Sequence, residues 1–455
     1  MQLAENVENT IEKFGYKQEL KRSLTVIDLI IYGLIFMVPI APFGIYGAVA
    51  NGSKGMVALA YMIGMVGMIF TAFSYARMSE AFPIAGSVYS YASRGINESV
   101  GFFAGWVILL DYILIPALLY IVSGAALSAI VPQVPVYVWA VIFIAINTAI
   151  NIRGIEFTAG FNKIVLIFEL IVLALFVVVG IIAVINGVGG AKFTAKPFYD
   201  PDNFSLSLVM GAVSIAVLSF LGFDGISTLS EETKGGIKTV GNATVASLLI
   251  VGVLFIIQTW VAALIIPDIT QFKNADTAFY QVAELAGGTW LMLTCSLATA
   301  FAWGVANSLA AQAAISRVLF SMARDKNLPS VFSKVHGKFK TPYIATLFIA
   351  VISLIITGIF SSRIADLASL VNFGALVAFL LLHLTVIFYF LFKKKSKNYI
   401  KHLVLPAIGF IIIAYVALNL DIRSKLLGIT WIGIGIVYFI ILMTVFKRKP
   451  AKLDV

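Results

Sequence analysis

Phe36-Met37-Val38-Pro39-Ile40-Ala41-Pro42-Phe43-Gly44 puts two prolines, three residues apart, into the middle of an apolar run over 25–49. Proline lacks a backbone N–H and its ring clashes with the preceding helical turn, so an α-helix cannot pass unbroken through this stretch. Outward from it, apolar runs of membrane-spanning length recur to the end of the chain, at 55–77, 101–129, 135–152, 158–186, 206–229, 240–266, 287–322, 342–360, 366–391, 402–420 and 427–446. The sixth run carries a second interruption, Leu218-Ser219-Phe220-Leu221-Gly222-Phe223-Asp224-Gly225, glycine-rich and polar at mid-depth. Irregular backbone inside a membrane is tolerated where it lines a cavity, and transporters built from inverted repeats bind substrate at such broken helices. The spacing predicts an all-α integral membrane protein of twelve transmembrane helices. A first group of five helices is expected over 25–186, a second over 206–391 and two additional helices over 402–446, with cytoplasmic tails at 1–24 and 447–455. Proline kinks and glycines are common in membrane helices; here each break opens its own group of five.

The composition agrees. Of 455 residues, 60% are hydrophobic and 12% charged, with a mean hydropathy of +1.00, whereas soluble domains carry about 25% charged residues. A membrane β-barrel would alternate polarity over ten-residue segments instead. One cysteine, Cys295, and three scattered histidines, His336, His383 and His402, offer no disulfide framework and no metal-ligand cluster. No metal, no cofactor and no catalytic activity are expected. The net charge is +10, and its placement matters more than its size: with the N-terminus inside, 23 of the 32 basic residues fall in inner segments and seven in outer loops. That bias predicts cytoplasmic termini. It leaves nucleic acid an unsuitable partner, because the basic residues are dispersed over short connections. The charged stretch at 11–22 lacks a signal-peptide cleavage pattern and is expected to stay as a tail.

Three carboxylates lie well inside apolar runs: Asp111 in the third, Glu169 in the fifth and Asp224 in the sixth. Each costs about 2.5–3.5 kcal/mol at a helix centre unless solvated, paired or protonated, which marks intramembrane acids as functional candidates. The embedded cations, Lys163 and Arg317, lie near helix ends, from which their long side chains can snorkel. An acidic midplane without a fixed cation favours a cationic passenger or a proton. Asp224, ending the second break, can bind an ammonium group or cap the following half-helix. Asp111 can bind a cation beside Tyr112, a ring able to cover it, or make an internal hydrogen bond across helices. Glu169, amid Leu166, Ile167, Phe168, Leu170 and Ile171, can carry a proton or act as a neutral packing group. Asn307, Ser308 and Gln312 can line one face of a pathway or bridge helices. Phe220 and Phe223 flank the break; Phe220 is a candidate gate or a packing residue. Trp106, Trp139, Trp260 and Trp290 read as anchors or packing, and His383 as a satisfied core histidine.

Several motifs resemble the amino acid-polyamine-organocation transporter superfamily over nearly the whole chain. They are Phe82-Pro83-Ile84-Ala85-Gly86-Ser87-Val88-Tyr89, Phe220-Leu221-Gly222-Phe223-Asp224, Ser230-Glu231-Glu232-Thr233-Lys234, and Ile315-Ser316-Arg317-Val318-Leu319-Phe320-Ser321-Met322-Ala323-Arg324-Asp325. Leu109-Leu110-Asp111-Tyr112, Pro267-Asp268-Ile269 and Val371-Asn372-Phe373-Gly374-Ala375 look most like its bacterial putrescine importers. The resemblance implies a 5+5 inverted repeat plus two helices, with substrate held where helices 1 and 6 are broken. Amino acid carriers of the superfamily usually have Gly-x-Gly in the first break, where bare amides take the substrate carboxylate. Here Pro39-Ile40-Ala41 stands there, and proline has no N–H to give. Proton-coupled relatives resemble one another in a mid-helix-5 lysine, where this sequence has Glu169, and Gly235-Gly236 replaces a proline after the sixth helix.

The expected function is secondary active import of a small cationic diamine by alternating access, proton-coupled, in a bacterial plasma membrane. The expected partners are the cationic substrate, protons and the lipid bilayer. Substrate contacts are expected from Asp111, Tyr112, Pro39, Ile40, Ala41, Ser219, Phe220, Gly222, Phe223, Asp224, Asn307 and Ser308, with Glu169 coupling the proton and Phe220 gating. An amino acid cargo on the same fold, bound near Gly222 and Gly225, is the main alternative, and a channel or ligand sensor a minor one.

Overall fold

The computed structural model describes residues 24–83, 87–154, 159–234, 238–324, 328–339 and 341–444. The expected tails apart from Leu24, residues 84–86 of the first motif, Gly235-Gly236 and Asp325 lie outside the described residues.

The described residues form sixteen α-helices in order: α1 Val26–Met37, α2 Pro42–Gly52, α3 Val57–Ala81, α4 Ser87–Gly95, α5 Glu98–Ile130, α6 Val136–Arg153, α7 Ala159–Ile185, α8 Leu206–Ala216, α9 Thr239–Ile265, α10 Ala278–Gly287, α11 Thr289–Phe301, α12 Ser308–Arg324, α13 Tyr343–Phe360, α14 Ile364–Ile387, α15 Leu405–Leu418 and α16 Ile422–Thr444. Eleven spans among the described residues are long and apolar enough to cross a membrane, and the bent pair α1 and α2 makes a twelfth. The fold is all-helical; among the described residues the one β contact is a parallel bridge between Leu24 and Thr233.

The first span breaks as its prolines dictate. Thr25 caps α1 through a capping box with Asp28, whose carboxylate accepts from Thr25 N at 3.0 Å. The helix ends at Val38, a β-branched residue held at φ 53°, ψ 99°, a conformation that costs energy for any residue with a Cβ. A tight turn follows, with Ala41 N donating to Val38 O at 2.8 Å, and Pro42 opens α2 in the first turn, where its missing N–H costs nothing. The axis turns by 59°.

The sixth span breaks differently. After α8, a 3₁₀ turn Val217–Phe220 leads to extended Leu221 and then Gly222 at φ +110° before the 3₁₀ segment Phe223–Glu232. Gly222 approaches the first break so closely that an added Cβ would lie 3.0 Å from the Phe36 carbonyl oxygen. The two breaks therefore touch through backbone. The eighth span, α11 to α12, contains a π-helical segment Ala302–Asn307, an irregularity that often marks functional sites.

Helix α9 packs mainly on α3 and α1, and α5 mainly on α14. His383 of α14 is buried with its ring nitrogens 2.8 Å from Ser74 Oγ and 3.3 Å from Thr71 Oγ1, joining α14 to α3. Trp106 and Trp431 stack at 4.8 Å, and each indole N–H donates to the other's carbonyl at 2.9 Å, fastening α16 to α5.

Candidate functional site

Both breaks, α5 and the eighth span enclose a cavity of about 230 Å³. The first break brings Val38 and Ala41 to it, α5 brings Asp111 and Tyr112, the second break Ser219, Gly222 and Asp224, and the π segment Trp303 and Asn307. Asp111 and Asp224 are 3% and 7% exposed. Among the described residues no ion pair includes either one, and the cavity lining contains no lysine or arginine. Among the described residues, Oδ1 of Asp111 has no hydrogen-bond partner. The backbone amides of Gly222, Asp224 and Gly225 turn toward the Asp224 carboxyl group. Lys163 and Arg317 are exposed, Lys163 facing Asp28 at 3.9 Å, and neither lines the cavity.

Of the residues singled out in the sequence, Ala41, Asp111, Tyr112, Ser219, Gly222, Asp224 and Asn307 converge on this cavity, while Pro39, Ile40, Phe220, Phe223, Ser308 and Glu169 do not line it. Pro39 offers its carbonyl oxygen to Gln258 Nε2 at 2.9 Å, and Ile40 is fully buried in the core. Phe220 lies edge-on to Phe255 at 5.1 Å and beside Tyr61 at 6.2 Å. Phe223 packs against Tyr75 at 5.6 Å and Phe379 at 5.7 Å. Ser308 donates to Gly304 O and accepts from Asn147 Nδ2, both at 2.7 Å, bridging the eighth span to α6. Gln312 extends that bridge to Thr148 and Asn151. Glu169 is 3% exposed, with Oε2 lacking a hydrogen-bond partner among the described residues.

Aromatic side chains to which the sequence assigns no role also line the cavity, Tyr32, Phe36 and Trp303 among them. Tyr32 and Phe36, four apart on α1, have ring centroids 4.8 Å apart, and the i,i+4 spacing leading into the first break is the signal that locates them. Together with Ile315 and Val318 of α12 they extend the cavity toward the side on which the chain begins. On the other side of the break the space is filled by rings: Phe43 stacks on Phe279 at 3.8 Å, with Phe176 at 4.5 Å and Tyr46 at 5.7 Å from the same ring.

The amino acid permease family model matches residues 26–452. The chain belongs to the amino acid permease family. The permease is 32% identical over 442 residues to the low-affinity putrescine importer PlaP of Escherichia coli strain K12, with 96% of this chain and 97% of that protein covered. It is 26% identical over 482 residues to the branched-chain amino acid permease BcaP of Bacillus subtilis strain 168, covering 99% and 98%. To the methylthioribose transporter of the same organism it is 26% identical over 495 residues, covering 98% and 97%. The permease is thus a multi-pass membrane transporter of small molecules and not an enzyme. Among its described residues no group of His, Cys, Asp and Glu is arranged to hold a metal ion.

Proposed function

We propose that this permease imports a small organic dication of the putrescine class, by alternating access between two inverted five-helix repeats, with both termini cytoplasmic in a plasma membrane. The observation that carries the reading is the pairing of Asp111 and Asp224 on one cavity that holds no basic side chain. Each carboxylate takes one ammonium group, as ion pairs with strong charge-assisted hydrogen bonds, and Tyr112 and Trp303 flank the methylene chain. The similarity to a putrescine importer supports the choice of cargo.

The first break is poorly furnished for a substrate carboxylate. Pro39 has no N–H, and the amides of Ala41, Phe43 and Gly44 already donate within the turn. In the second break the amides face Asp224, so an internal anion already occupies that helix end. For a dication the membrane potential contributes about 4.6 kcal/mol per 100 mV, twice the single-charge value, enough to drive accumulation by itself. Proton coupling through Glu169 adds to this drive. It predicts that Glu169→Gln abolishes the stimulation of uptake by an inward proton gradient while leaving potential-driven uptake intact; unaltered stimulation contradicts it.

An amino acid cargo is the second reading, favoured by the similarity to a branched-chain amino acid permease. Competition separates the two. Labelled putrescine uptake into proteoliposomes that is displaced by diamines and not by a tenfold excess of amino acids supports the first reading; the reverse order supports the second.

A further inference from the structure

The connection between the tenth and eleventh spans holds Lys393, Lys394, Lys395, Lys397 and Lys401, with no acidic residue from 388 to 404. All five are exposed, and none is in an ion pair among the described residues. This is a folded turn. Lys394 N donates to Tyr389 O at 2.9 Å and Ser396 N to Phe390 O at 2.8 Å. Asn398 N donates to Ser396 Oγ and Lys401 N to Asn398 Oδ1, both at 3.2 Å. The His402 ring stacks on Phe390 at 4.0 Å with Nδ1 2.8 Å from Ser396 Oγ. Lys393 turns inward, its Nζ donating to the carbonyls of Arg94 and Ile96 at the end of α4. Among the described residues the other four lysines have no such backbone anchor for their ammonium groups, although Lys394 lies 5.8 Å from the Tyr389 ring centroid.

Immediately beside these charges stand bare apolar side chains: Phe392 is 67% exposed, Tyr399 59% and Ile400 67%. A free phosphate or an acidic metabolite would satisfy the lysines and leave these apolar side chains without a partner. A surface with anionic groups above and hydrocarbon below satisfies both, and basic clusters immediately flanking a transmembrane helix have this character.

We propose that this turn is a binding site for anionic phospholipid, with Lys394, Lys395, Lys397 and Lys401 around the headgroup phosphate and Phe392, Tyr399 and Ile400 in the acyl boundary. The site lies on the side where the chain begins, whichever substrate the permease carries.

The test uses the full-length permease in detergent, with bound lipid counted by native mass spectrometry against phosphatidylglycerol and phosphatidylcholine of the same acyl chains. The wild type is expected to prefer phosphatidylglycerol. Each lysine at an anionic surface is worth roughly fivefold in affinity, so Lys394→Gln/Lys395→Gln/Lys397→Gln should weaken phosphatidylglycerol binding by about tenfold or more. Lys192→Gln/Lys273→Gln/Arg423→Gln, which removes the same charge from the opposite side, should change it less than about twofold. The triple arginine variant at 394, 395 and 397 keeps the charge and should retain binding, which separates loss of the site from loss of the fold. Equal phosphatidylglycerol binding by wild type and the triple glutamine variant, equal loss in the opposite-face control, or phosphatidylcholine bound as tightly would overturn the proposal. Full displacement by millimolar inorganic phosphate would assign the lysines to free phosphate and overturn the lipid site.

Discussion

Gln258 of α9 donates from Nε2 to the Pro39 carbonyl oxygen at 2.9 Å, in a fully buried position. A proline-broken helix leaves carbonyls without their usual partners, and inside a membrane such groups need a donor from elsewhere in the protein. Gln258 supplies it. The same amide group donates to Leu254 O at 3.0 Å, so the break in the first span is tied to the α9 backbone.

Replacing Gln258 with leucine leaves the Pro39 carbonyl unsatisfied at a cost of about 1–3 kcal/mol. The expected outcome is a lowered melting temperature of the purified protein together with reduced uptake. An unchanged melting temperature would show that the break does not depend on this donor.

Gly222→Ala puts a side chain at φ +110° and 3.0 Å from the Phe36 carbonyl oxygen. Strain of about 1–3 kcal/mol, concentrated where the two breaks touch, is expected to impair transport more severely than expression. Wild-type transport rates in this variant would mean that the contact between the breaks loosens freely during the cycle.

Phe220 is completely buried between Tyr61 and Phe255. Truncation to alanine is expected to destabilise by about 3–5 kcal/mol, as large-to-small changes in packed cores do, with the KM for substrate within about twofold of wild type. A gating role would give the opposite pattern, with near-normal stability and a large change in transport kinetics.

The spans were legible because the bilayer demands long apolar runs, and the breaks because Pro39, Pro42 and Gly222 act through their own backbone chemistry. Which side chains face the cavity was only partly legible. Extended Leu221 and left-handed Gly222 rotate the chain between Phe220 and Asp224, so helical periodicity does not carry through. Phe220 and Phe223 consequently point into packed aromatic clusters, while Asp224 reaches the cavity. Ser308 is engaged by Asn147, a partner 161 residues away, which local sequence cannot reveal. Helix α4 is not legible in the sequence either: nine residues with an arginine and three serines lack the apolar length of a span, and the helix packs against α5 and α14.

The most direct measurement is the putrescine dependence of uptake by Asp111→Asn and Asp224→Asn in proteoliposomes at fixed potential. Charged hydrogen bonds contribute about 1.5–3 kcal/mol. Each variant should therefore raise KM by roughly tenfold or more, with folding unchanged by thermal melting. KM values indistinguishable from wild type in both variants would contradict a diamine held between the two carboxylates.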